Sequence, residues 1–216
     1  MKKRVAVLIS GRGSNMAALI AAAKDPRYPA EIVLVLSNRP SAAGLAIARA
    51  AGIATAVVDH TTHGNDREAF ERAMQAQLDQ HRIEFVCLAG FMRLLTPWFV
   101  RQWPGRMINI HPALLPAFKG LDTHARALAD GAKTHGATVH FVEEDMDCGP
   151  TILQGAVAVR DDDTAATLAE RVLAVEHKIY PEALALVAAG RVTIVDGRCR
   201  IEGVDVGDGH VIVPPP

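Results

Sequence analysis

Apolar positions in the first half of the chain fall in short unbroken runs, not in alternation. Residues 5–9, 32–36 and 85–89 are continuously apolar, and 107–110 is a similar run interrupted only by Asn109. Such runs mark strands covered on both faces. Residues 54–58 predict one more short strand. The intervals have helical character. Residues 15–24 are Ala-rich and stop at Asp25-Pro26; 42–51 end at Gly52; 66–81 are polar with Phe70, Met74 and Leu78 on one face. Strands alternating with helices at this spacing predict βαβ units and a parallel sheet.

The pattern changes after residue 110. Residues 138–142 and 151–159 predict two strands around an acidic turn, 143–150, and so a hairpin added to the sheet. Residues 164–189 predict a long helix that Pro181 bends or breaks. Residues 192–213 read as a small β appendage and 214–216 as a loose end. The expected fold is α/β: a Rossmann-like, mostly parallel sheet with helices on both faces and a C-terminal antiparallel hairpin added to it. No repeat or low-complexity linker interrupts the 216 residues, so a single domain is expected.

Composition narrows the partners. A formal net charge of −1 gives no global positive field, which argues against nucleic acid or a membrane surface as the main partner. No run approaches the ~20 apolar residues of a membrane helix. The basic start Met1-Lys2-Lys3-Arg4 leads into an apolar run that ends at Ile9, too short for a signal peptide. Cys87, Cys148 and Cys199 form no C-x-x-C pair and read as reduced thiols, so a cytoplasmic location is expected.

Candidate chemistry sits at the strand ends. Ser10-Gly11-Arg12-Gly13-Ser14-Asn15 follows the first strand and opens the first helix, where α/β sheets bind phosphate. Ser14 and Asn15 can cap that helix or donate to an oxygen. It is neither a Walker loop nor a full dinucleotide fingerprint, because Met16 stands where a third glycine belongs; a phosphate monoester fits better. A Gly-rich turn with an ordinary cap is the plain alternative. Asn109 and His111 alternate along one strand and share a side. Asp147 lies in the acidic turn. An amide for an oxyanion, an imidazole for proton transfer and a carboxylate to orient it suit acyl transfer. Each also has a structural alternative: Asn109 as a local backbone partner, His111 as a strand terminator, Asp147 as a turn acid. There is no nucleophile elbow and no metal-ligand spacing, so direct transfer without a covalent intermediate or metal is the expectation.

The segments at 9–15 (ISGRGSN), 88–95 (LAGFMRLL), 109–116 (NIHPALLP), 135–142 (HGATVHFV) and 147–150 (DCGP) resemble, in order and spacing, the phosphoribosylglycinamide formyltransferase family of folate-dependent formyltransferases. The resemblance runs from about residue 5 to about 190. It implies a catalytic trio of Asn109, His111 and Asp147, and a substrate phosphate held by Gly13, Ser14 and Asn15. Glu176 would contact the ribose. The folate would lie along Met92, Arg93, Leu94 and Leu95 and along Glu143, Glu144, Asp145, Met146 and Asp147, with Asn109 at its reacting end and Arg67 near its glutamate tail. The single domain is expected to comprise a phosphate- or nucleotide-binding half (about 1–100), a catalytic and folate-binding half (about 101–190) and the small β appendage (191–216).

This chain departs from the family pattern in places. Cys148 stands where a second glycine is common, and Asp122 where a histidine often does. Leu173 and Val175 are apolar beside Glu176. The 119–124 segment is expected to be a mobile lid.

The implied reaction is formyl transfer from 10-formyltetrahydrofolate, a co-substrate, to the amine of glycinamide ribonucleotide in purine biosynthesis. Asn109 and a charged His111 would stabilise the oxyanion, and Asp147 would support His111 and relay the proton. The expected partners are these small molecules, with a monomer or homodimer as the assembly. Three readings compete. A formyl-folate hydrolase would use the same trio on water without needing the phosphate loop. A methionyl-tRNA formyltransferase would need a basic RNA-binding extension. A non-catalytic nucleotide-binding module would leave the trio as coincidence.

Overall fold

The computed structural model describes residues 1–203. Seven strands form one sheet: β1 (Lys3–Ile9), β2 (Ala30–Ser37), β3 (Ala54–Val57), β4 (Phe85–Leu88), β5 (Met107–His111), β6 (Thr134–Phe141) and β7 (Thr151–Ala158). Their order is β3-β2-β1-β4-β5-β6-β7. The first five are parallel; β6 runs antiparallel to β5, and β7 antiparallel to β6. The expected parallel sheet with an added hairpin is the observed one. Residues 192–195 and 198–201 form a separate two-stranded sheet, and the part of the predicted appendage beyond 203 lies outside the described residues.

The continuous apolar runs have the predicted cause. Val5, Val7 and Ile9 of β1 face one layer with Met16, Leu19, Tyr180 and Leu184, while Ala6 and Leu8 face another with Phe70, Met74, Phe99 and Trp103. The first layer holds α1 (Ser14–Ala23), α2 (Gly44–Ala50) and a long C-terminal helix; the second holds α3 (Arg67–Gln80) and α4 (Pro97–Gln102).

Three short elements escape the sequence pattern. They are a 3₁₀ turn at His60–His63, α4, and α5 (Thr123–Ala129). Each is too short to show a helical period. Helix α5 takes in Thr123 and His124 from the expected lid; the part before it carries left-handed backbone at Phe118, Gly120 and Asp122. Strand β6 starts at Thr134, earlier than predicted, because Gly136 hides the pattern. The long helix α6 (Ala165–Ala188) runs through Pro181 without the break that was one expected outcome. Buried Tyr180, Ala183 and Leu184 hold it on both sides of the proline, and Tyr28 Oη donates to the Pro181 carbonyl at 2.6 Å.

The chain reverses direction across the sheet between β1 and β4. Their carboxyl ends are tied by the Ser10 N–H donating to the Gly90 carbonyl at 3.1 Å. Open α/β sheets bind ligands at such a switch point. No helix among the described residues is long and apolar enough to cross a membrane, and all three cysteines are unpaired.

Candidate active site

Asn109 and His111 leave the same side of β5. Their partners across the β5–β6 ladder are His140 and Thr138. Buried Thr138 donates to the Ala113 carbonyl (2.6 Å) and accepts from the Leu115 N–H (3.0 Å), which fixes the turn behind His111. The β6–β7 register shifts at Val139/His140, a bulge of the kind that re-aims a side chain.

His140 was not singled out from the sequence, although the polar Thr138 and His140 at alternate positions of an apolar strand were a usable signal. Its Nδ1–H donates to the Phe141 carbonyl at 2.8 Å, and its Nε2 lies 3.3 Å from Asn109 Nδ2. Burial pushes this imidazole toward its neutral form, against the opposing pull of the Phe141 carbonyl and the Asp147 carboxylate. A neutral ring protonated on Nδ1 leaves Nε2 as an acceptor. One N–H of the Asn109 amide is therefore held by His140, and the other remains for a ligand.

Asp147 sits in the β6–β7 turn with φ at +54°. Two residues on, Gly149 passes so close to β6 that a Cβ there would stand 1.9 Å from the Phe141 carbonyl oxygen. Cys148 needs no left-handed backbone, so its side chain fits where a glycine is common. Lys119 Nζ lies 2.8 Å from its Sγ, and this contact favours the charged lysine. The Asp147 carboxylate lies 3.4 Å from His111 Nδ1 and accepts from the Gly120 N–H at 2.9 Å. It is 3.8 Å from His140 Nε2, beyond hydrogen-bond reach for a neutral ring. His111 is buried, and its Nε2–H donates to the Phe118 carbonyl at 2.9 Å. The structure thus brings the three residues into one cluster: His111 and Asp147 directly, Asn109 through His140.

A cavity of about 740 Å³ opens over this cluster. Ten of the eleven residues expected at the folate line it: Met92, Arg93, Leu94, Leu95, Asn109, Glu143, Glu144, Asp145, Met146 and Asp147. Arg67 does not; its Nη2 donates to the carbonyl of Leu94, which does. Glu144 is paired with Arg101 at 2.7 Å. Met92, Leu94, Leu121 and Met146 are all more than half exposed around the cavity. A pocket of this size with an apolar mouth and a few convergent polar groups suits a small aromatic ligand. Among the described residues no group of three His, Cys, Asp or Glu is arranged to hold a metal ion.

A second cavity, about 300 Å³, adjoins the first along Gly90 and Met92 and is lined by residues 10–15. Gly13 takes the N-cap position of α1 with φ at +76°; a Cβ there would come within 2.9 Å of Gly44 Cα. The cap has no side-chain hydrogen bond, so Ser14 and Asn15 are the first helical residues and not caps as expected. The first-turn N–H groups of a helix have no intrahelical partner and favour an anion. Asn15 Nδ2 donates to Glu176 Oε2 at 2.5 Å, while its Oδ1 is buried with no partner among the described residues. Burial raises the Glu176 carboxyl above its ordinary range, and the Asn15 bond opposes this. Val175 points elsewhere: its Cγ1 fills the space beside Gly155 on β7.

A formyl transferase family model matches residues 3–184. The trifunctional purine biosynthetic protein adenosine-3 of Homo sapiens is 52% identical over 193 residues, which cover 89% of this chain. The chain spans only 19% of the length of that relative. The phosphoribosylglycinamide formyltransferase of Escherichia coli (strain K12) is 42% identical, over 92% of this chain and 93% of its own length. The crystal structure of glycinamide ribonucleotide transformylase 1 from Symbiobacterium toebii superposes with a TM-score of 0.90 at 44% identity, covering 93% of this chain and 94% of that one.

Proposed function

We propose that this chain, which belongs to the formyl transferase family, transfers the formyl group of 10-formyltetrahydrofolate to the amine of glycinamide ribonucleotide, in the cytoplasm. The observation that carries this reading is the adjacency of two cavities. One suits an aromatic co-substrate and holds the Asn109, His111 and Asp147 cluster; the other is built for an anion at the start of α1. They share the Gly90 and Met92 wall, so a ribonucleotide anchored by its phosphate can reach a formyl group in the larger cavity.

In this mechanism the substrate amine attacks the formyl carbon, and the carbonyl oxygen becomes an oxyanion. The Asn109 N–H not held by His140 donates to it. His111 as imidazolium adds positive charge beside Asp147. Its Nε2–H reaches the oxyanion only when the Phe118 carbonyl gives way, which makes the 118–122 segment part of the catalytic arrangement. Asp147 relays the proton from the attacking amine toward the departing folate nitrogen, directly or through water. Glu176 accepts from the ribose, held in place by Asn15. Preorganised donors of this kind act where charge develops and need no reorganisation during the step. Arg67 acts at the rim, where its hydrogen bond to the Leu94 carbonyl supports the loop that faces the folate tail.

The test is deformylation of 10-formyl-dideazafolate followed by absorbance, with and without glycinamide ribonucleotide. Release that requires the ribonucleotide is expected. Release without it would mark a hydrolase, and no release in either reaction would leave a binding module.

A further inference from the structure

The smaller cavity is lined by two cations and no acid: Arg12, in the β1–α1 loop, and Arg39, just past the end of β2. Among the described residues neither guanidinium donates to a protein acceptor. Both residues are exposed. No residue of α6 lines this cavity; its Glu176 carboxyl stands behind Asn15 and supplies no cation to it. A phosphate monoester carries about −1.5 to −2 charge at neutral pH, whereas a helix start offers only about +0.5. The start of α1 therefore leaves more than one negative charge without a counterpart. Two unpaired planar forks at the cavity wall match that deficit in charge and in geometry.

We infer that Arg12 and Arg39 form a guanidinium clamp that binds the phosphate monoester of the substrate and selects phosphorylated over unphosphorylated amines. The inference rests on the reading above that this cavity takes the substrate phosphate, and adds the residues that set its strength and selectivity. The backbone of Gly13, Ser14 and Asn15 shapes the site; the two arginines neutralise what enters it.

Two measurements test it. In the first, Arg12→Ala and Arg39→Ala each raise the ribonucleotide KM about tenfold, and the double variant about a hundredfold. The folate KM does not follow, and Arg12→Lys recovers part of the loss. Arg49→Ala, on α2 away from the cavity, is the control for losing one surface charge. In the second, inorganic phosphate raises the Tm of the wild-type protein, and the double variant loses that rise; this needs no turnover. A ribonucleotide KM that moves no more than in Arg49→Ala overturns the clamp while leaving the transferase reading intact. Phosphate stabilisation lost with the arginines, in a protein without ribonucleotide-dependent turnover, upholds the clamp and overturns the transferase. Neither turnover nor phosphate stabilisation in the wild type overturns both.

Discussion

His140 Nε2 faces Asn109 Nδ2 across the β5–β6 ladder at 3.3 Å; burial favours the neutral His140 ring, and its bond to the Phe141 carbonyl places the proton on Nδ1. His140 is thus expected to act as a positioning residue, its Nε2 deciding which way the Asn109 amide turns. His140→Ala is expected to lower kcat about tenfold to a hundredfold, with KM values little changed. His140→Gln, which restores an acceptor, should recover part of that loss. A purely structural role would lower stability in both variants and leave kcat per folded molecule alone.

The trio should behave as one unit. Asn109→Ala, His111→Ala and Asp147→Asn are each expected to reduce kcat by about 10²–10³. Combining two of them should cost far less than the product of the single losses. Single-turnover rates on folded protein, checked by circular dichroism, decide this. Near-normal turnover in any single variant removes that residue from the mechanism.

Gly149 holds the turn that presents Asp147. A methyl group there would meet the Phe141 carbonyl at 1.9 Å, so β6 or the turn must move. Gly149→Ala is expected to destabilise the fold by about 1–3 kcal/mol and to depress kcat beyond that through a displaced Asp147. Cys148→Gly, one residue earlier and exposed, should change both by much less. Urea midpoints and kcat for the two variants separate them.

His135 gives the stability a pH dependence of known sign. It packs against Phe118 and His124 with neither ring nitrogen in a well-formed hydrogen bond. Burial first, and then the charge of His124, pull it from 6.5 down to about 4; the Pro112 carbonyl opposes this, and His111 adds a smaller push. The folded state therefore prefers the neutral ring. Its contribution is fully present above pH 6.5 and is lost as the pH falls toward 4, by up to about 3 kcal/mol. His135→Phe should flatten the stability curve across that window, leaving the smaller slopes of His124 and His140, which burial also lowers. Denaturation midpoints at pH 7, 6 and 5 show it; parallel curves for variant and wild type would refute it.

The parallel sheet was legible because strand segments buried on both faces must be apolar, and residues 5–9 of β1, 32–36 of β2 and 85–88 of β4 are. The carboxyl end of β1 pointed to the loop 10–15, and that of β5 to Asn109 and His111, because polar residues within or closing an apolar run have few structural uses. Helices α4 and α5 were hidden because six or seven residues cannot display a period. Of the two effects expected of Pro181, the break does not occur, because packing on both sides of the proline keeps the helix whole.

By itself, then, the sequence determined what is local and periodic: the alternation of strands and helices, the glycines that open α1, and the residue types able to carry the chemistry. Tertiary structure alone decided the pairings. His140 became a partner of Asn109 only when β6 ran antiparallel to β5 in one register, and Glu176 reached Asn15 across 161 positions only when α6 packed on α1. Arg12 and Arg39 share one cavity because β1 and β2 are neighbours in the sheet. Hydrophobic period is written along the chain, but the distance between two side chains is set by which surfaces must bury each other, and that exists only in the folded molecule.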